Sequence, residues 1–136
     1  MMPLRKRSGG NLANSKAVKP KFKPDGYNSV APYFVIDGAE RLIKLLKQIF
    51  NSKELRRYDM PDGSIMHAEV QIDDSVIMMG DSSDEFPPNK LLVHVYVEDV
   101  DSVYERAIAA GCKGLQEPRQ KENDPDRRGS FQDFGG

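Results

Sequence analysis

The sequence predicts an α+β domain built as a tandem repeat of one β-α-β-β-β unit. Three observations predict it. The stretch "MHAEVQIDDSVIMMGD", Met66 to Asp81, alternates apolar and polar residues on either side of an aspartate pair, the pattern of strand, tight turn and strand. Each half of the chain also carries one segment with apolar residues at spacings of three and four, the signature of an amphipathic helix. Finally, the order of elements around the first helix recurs around the second.

Taken in order, "NSVAPYFVID" is apolar, β-branched and aromatic, and predicts a strand from Ser29 to Ile36. Pro32 has no amide hydrogen, so this strand should be irregular or at an edge. In "GAERLIKLLKQIFN", Leu42, Leu45, Leu46, Ile49 and Phe50 form one stripe, and Asp37 is the predicted N-cap. "SKELRRYDMPDGS" reads as a polar strand ending in a turn at Pro61-Asp62-Gly63. The hairpin supplies strands Ile65 to Ile72 and Ser75 to Gly80. After the loop "DSSDEFPPNK", the segment "LLVHVYVED" predicts a strand. "VDSVYERAIAAG" predicts a helix, with Gly111 where a helix-ending glycine belongs. "CKGLQEPRQ" and "RRGSFQDF" read as two further strands.

The chain has 136 residues, enough for one ordinary domain. The repeat divides residues 27–136 into a first module at 27–82 and a second at 90–136. Overlaid at an offset of 62, Asp99 falls on Asp37, Val97 on Val35 and Tyr96 on Phe34. The second module then lacks an equivalent of "SVIMMGD", and the sequence reads as shorter than the native gene product. Net charge is −1, but residues 1–24 hold seven lysines and arginines and no acid. Thirteen basic residues against 21 acidic ones leave the remainder at about −8. Residues 1–26 read as a basic, disordered arm with few bulky apolar residues. A single aromatic, Phe22, interleaves its charges, which disfavours nucleic acid as a partner. One cysteine, Cys112, excludes an internal disulfide and suits a reducing cytoplasm. No apolar run approaches the roughly 20 residues of a membrane span.

The strings "SVAPYFVIDGAERLIKLLKQIF", "HAEVQIDDSVIMMGD", "HVYVEDVDSVYERAIAAG" and "GSFQDFGG" resemble the vicinal oxygen chelate superfamily, the glyoxalase, bleomycin-resistance protein and extradiol dioxygenase group. The likeness is to its PhnB-like branch. It implies two modules whose curled mixed sheets surround a cup-shaped cavity, completed by a homodimer. It also implies that metal-dependent members carry ligands on the first and last strands of each module. Here the first strand offers Val30, Pro32 and Phe34 to the expected inward face, and none of these can ligate. The usual histidine position of the fifth strand is Leu92, with His94 two residues on.

Two histidines remain, His67 and His94, and Glu69 shares the face of His67. These three are the weak candidates for a metal. Hydrogen-bonded cavity residues are the favoured reading, with no metal and no other cofactor. Phe34 and Tyr96 fall on equivalent positions of the overlay and suit stacking on a planar ligand. The expected ligand-binding set is therefore Phe34, His67, Glu69, His94 and Tyr96. The leading function is a cytoplasmic small-molecule binding protein that sequesters a mostly apolar or planar ligand. The alternatives are a metal-dependent lyase, isomerase or dioxygenase, and an acidic-partner or nucleic-acid binder acting through the basic arm.

Overall fold

The structure is a computed structural model and describes Leu4 and residues 21–136. Most of the basic arm lies outside the described residues. The elements are β1 (Tyr33–Ile36), α1 (Ala39–Phe50), β2 (Lys53–Asp59), β3 (Ile65–Ile72) and β4 (Ser75–Asp81), then α2 (Val100–Ala109), β5 (Lys113–Gln120) and β6 (Arg127–Gln132). The first half forms a four-stranded mixed sheet in the order β1-β4-β3-β2, with β1 parallel to β4 and the other pairs antiparallel. The second half contributes a two-stranded antiparallel sheet, β5-β6. Among the described residues, no helix is long and apolar enough to cross a membrane.

α1 forms where the apolar stripe predicts it. Its buried face is Ala39, Leu42, Ile43, Leu46 and Ile49. That face packs on Ala68, Val70, Ile72, Ile77 and Met79 from one side of the sheet. Each buried leucine or isoleucine contributes about 1.5–3 kcal/mol, offset in part by lost chain freedom. α2 is shorter and buries only Val103 and Ala107. It joins α1 through a second cluster with Ile49 and Cys112, and the Arg106 Nε–H donates to the Ile49 carbonyl at 2.9 Å. The hairpin turn is made by Asp73 in the left-handed region (φ 51°), and Gly111 (φ 95°) ends α2 as expected.

Three expectations are corrected. The N-cap of α1 is Gly38 (φ 107°), not Asp37, and it makes no side-chain cap. The anion comes instead from the far end of β4. The Asp81 carboxylate accepts from the Gly38 and Ala39 amides at 3.2 and 2.8 Å, and from the Ile65 amide at 2.7 Å. Second, residues 91–98 form no strand, because no described strand lies beside them to complete a ladder. Third, the two halves align at an offset of 61, not 62. Asp99 is the N-cap of α2 as Gly38 is of α1, and buried Val103 and Ala107 take the places of buried Leu42 and Leu46.

Gly80 lies where strands approach closely. A Cβ there would sit 2.7 Å from the Met66 carbonyl oxygen and 3.3 Å from the Tyr33 hydroxyl. Gly80→Ala is expected to cost about 1–3 kcal/mol, because the obstacle is backbone. Urea unfolding checks this, and an unchanged midpoint would show that β3 yields freely.

Candidate functional site

Alternation along β3 sends Ala68, Val70 and Ile72 into the core under α1 and His67, Glu69 and Gln71 to the opposite face. Cross-strand register places Tyr58 beside His67, Met78 beside Glu69, and Tyr33 beside Met78. This second face is not simply solvated. Glu69 is fully buried and His67 is 4% exposed.

A buried carboxylate must be compensated. Here Tyr27, from the segment before β1, donates its hydroxyl to Glu69 Oε1 at 2.7 Å. His67 Nε2 lies 3.1 Å from Glu69 Oε2, and His67 Nδ1 lies 3.1 Å from the Tyr33 hydroxyl. An ionised carboxylate only accepts, so Nε2 carries the proton, and Nδ1 of a neutral ring accepts from Tyr33. Arg56 adds a cation 3.9 Å from Glu69 and lies over the Tyr27 ring at 5.3 Å. Asn28 pins the same segment to the sheet by accepting from the Val76 amide at 3.3 Å. Tyr58, half exposed, leaves an aromatic edge open beside His67, with ring centroids 6.3 Å apart. The result is a chain of hydrogen bonds from Tyr33 through His67 and Glu69 to Tyr27.

Burial, and then the hydrogen bond to Glu69, push the Tyr27 phenol up from 10.0 to about 12. Its contribution to stability is therefore intact below about pH 10 and is lost as pH rises through about 12. An ultraviolet absorbance titration should show one tyrosine ionising about two units late, and Tyr27→Phe should abolish that late phase. A single phase near 10 would contradict the contact. Cys112 is buried, and burial raises its thiol pKa, so it is a poor nucleophile at neutral pH.

The structure brings together His67 and Glu69 from the expected set, and separately His94 and Tyr96, whose rings meet edge-on at 4.7 Å. Tyr96 is 78% exposed. Phe34 belongs with neither pair. It packs against the core cluster under α1, so the inward residue of β1 is Tyr33. Phe34 thus lies on the opposite face of β1 from Tyr33, in the wall of a cavity between the two halves, and Val30 and Pro32 precede the strand. At the offset of 61, Tyr33 corresponds to His94 and Val35 to Tyr96. The one-residue error in the overlay had exchanged the faces. Tyr27, Tyr33, Tyr58 and Arg56 were missed. For Tyr33 the signal was available in its alternation with buried Ile36, whereas Tyr27 lies in an irregular segment with no periodicity.

Among the described residues, no group of three or more His, Cys, Asp and Glu converges as a metal site would require. His67 and Glu69 supply two donors on one strand, and each is already hydrogen-bonded. This donor set does not fit a three-ligand divalent centre. A separate cavity of about 380 Å³ lies between the two halves, on the core side, with Phe34, Phe50, Val95 and Phe131 in its wall.

A family model for the glyoxalase/bleomycin resistance protein/dioxygenase superfamily matches residues 27–135. The uncharacterized protein Rv0887c of Mycobacterium tuberculosis (strain H37Rv) is 29% identical over 95 residues, which are 62% of this chain and 56% of that protein. The chain thus spans less than two-thirds of that relative's length. Among solved structures, TioX from Micromonospora sp. ML1 superposes with a TM-score of 0.59 at 23% identity, covering 79% of this chain and 88% of that one. The fosfomycin resistance protein FosX from Listeria monocytogenes gives 0.58 at 19% identity, covering 78% and 84%. The PhnB protein from Bacillus cereus gives 0.52 at 15% identity, covering 67% and 81%. At these identities the likeness to solved structures is one of fold.

Proposed function

The chain belongs to the glyoxalase/bleomycin resistance protein/dioxygenase superfamily, and we propose that it is a small-molecule binding protein of that type. It holds a mostly apolar or planar ligand in a cup completed by a second copy, and it acts by sequestration and not by turnover. The observation that carries this reading is the buried His67–Glu69 pair, tied to Tyr33 and Tyr27 on the sheet face turned away from α1. A face with no task would be solvated and polar or packed and apolar. This one keeps ionisable groups out of water beneath exposed aromatic surface, a combination that suits a ligand needing stacking and a few fixed polar contacts. Tyr58 and Tyr33 supply the stacking edge, and His67 and Glu69 orient it from beneath. His94 and Tyr96, at the equivalent positions of the second half, supply the facing wall. The single buried cysteine is in keeping with the cytoplasm.

Titration with a planar fluorescent probe, anilinonaphthalene sulfonate, tests the site. Saturable binding at one probe per chain, weakened about tenfold or more by Tyr58→Ala, supports the reading, since losing one aromatic anchor costs on the order of 1.4 kcal/mol or more. Binding that ignores Tyr58→Ala but is lost when Val95→Lys charges the 380 Å³ cavity would overturn it. Light scattering at micromolar concentration checks the dimer, and a monomer there would remove the second copy from the cup.

A further inference from the structure

We infer that Tyr27 fills the polar end of the ligand site as an internal stand-in, and that the ligand displaces it with an electron-rich aromatic ring bearing an O–H or N–H donor. The inference rests on the binding reading above and names the chemistry of the same site. Tyr27 belongs to no strand or helix. Even so, the Arg56 guanidinium lies over its ring at 5.3 Å, and its hydroxyl donates to Glu69 Oε1 at 2.7 Å. A planar ring under a cation, with one hydrogen bond to a buried carboxylate, is the contact set of a bound ligand, made here by a side chain of the same molecule.

Two observations make Tyr27 displaceable. The segment that carries it is exposed on either side, at Asp25, Gly26, Asn28, Ser29 and Val30. It also has bonds of its own that travel with it. The Tyr27 amide donates to the Pro24 carbonyl at 3.3 Å, Lys21 pairs with Asp25 at 2.9 Å, and Lys23 donates to Ser29 Oγ at 3.3 Å. Swinging off the sheet breaks the Tyr27–Glu69 bond and the long bond from the Val76 amide to Asn28, and keeps the local turn. What can replace Tyr27 follows from what it leaves behind. Glu69 is fully buried, and a buried carboxylate stripped of a donor is costly. A purely apolar ring cannot restore that bond, and a ring with an acceptor or an anion at that edge is repelled. A ring with a donor restores it, and the Arg56 cation favours an electron-rich face, as in a phenol or an indole. Tyr58, half exposed beside His67, continues the aromatic surface on the same face.

The test titrates the whole chain with indole, whose N–H donates without ionising, and with benzofuran, which has the same shape and an acceptor in place of that donor. Indole should bind Tyr27→Ala about tenfold or more tighter than the parent, because the internal competitor is gone. Tyr27→Phe keeps the ring and loses the bond, and should fall between the two. Benzofuran should bind each of the three about tenfold or more weakly than indole does, because it leaves Glu69 without a donor. In the parent, tyrosine isotope-labelled at Cζ and followed by NMR should show the ionisation at about 12 returning toward 10.0 at saturating indole. Indole affinity that is equal in the parent and both variants, benzofuran binding as tight as indole, or a late ionisation that persists at saturation would each overturn the inference. Anilinonaphthalene sulfonate binding that still depends on Tyr58 would then leave the wider binding reading standing.

Discussion

Asp81→Ala is expected to destabilise the protein by about 3 kcal/mol, a large share of the 5–15 kcal/mol typical of a domain. One carboxylate serves three backbone amides: Gly38 and Ala39 at the start of α1, and Ile65 at the start of β3. Gly38 has no side chain with which to cap the helix, so nothing local replaces the lost acceptor. The anion also faces the positive end of the helix dipole. The bond therefore joins the helix to two strands distant in sequence, and its loss should loosen their packing as well as the first turn. Asp81→Asn keeps one acceptor oxygen and should lose about half as much. Urea unfolding gives the magnitudes, and amide exchange at 39–43 gives the location. An alanine variant within about 0.5 kcal/mol of the parent would show that water replaces the carboxylate without penalty.

Glu69→Ala is expected to cost a similar amount, about 3–5 kcal/mol, for a different reason. It strips the acceptor from the Tyr27 hydroxyl and from His67 Nε2, both held in place by packing. It also leaves a void where a fully buried side chain stood. Glu69→Gln keeps the volume and should cost only about 1 kcal/mol. Its amide oxygen still accepts from Tyr27, while its NH₂ turns toward His67. Nε2 must then accept, so the ring proton moves to Nδ1 and is donated to the Tyr33 oxygen. The expected readout is an exchange of the two ring-nitrogen chemical shifts of His67 in the glutamine variant. Retention of the parent tautomer would break the hydrogen-bond chain from Tyr33 to Tyr27 as described. Anilinonaphthalene sulfonate binding by the same variant then reports on the polar end of the site without the confounding loss of fold.

Much of the fold was legible in one dimension. The hairpin at Met66 to Asp81 could be read because period-two alternation survives on a sheet with two different faces. The stripe from Leu42 to Phe50 could be read because only one helical face is buried. The segment 91–98 carries an equally clear strand pattern and yet forms no strand. Side-chain alternation records which face is apolar, whereas a strand exists only when a neighbour accepts its hydrogen bonds, and neighbours are a property of the assembled sheet.

The site divides along the same line. His67 and Glu69 could be placed on one face because they are two residues apart on one strand. Their partners could not, because Tyr27, Tyr33 and Arg56 reach them from other parts of the chain. The overlay of the two halves failed by a single residue, enough to pair Tyr96 with Phe34, which lies on the other face of β1 from Tyr33. The helix caps, with Gly38 matching Asp99, corrected it. By itself the sequence determined the order of elements, the helix and strand periods, and the family resemblance, since these depend on spacing between near neighbours. Only the tertiary structure decided that Asp81 caps a helix 42 residues away, that a carboxylate and an imidazole share a buried bond with two tyrosines, and that a cavity of about 380 Å³ lies between the halves. Those facts depend on which distant groups meet once burial has chosen one packing, and spacing along the chain does not encode that choice.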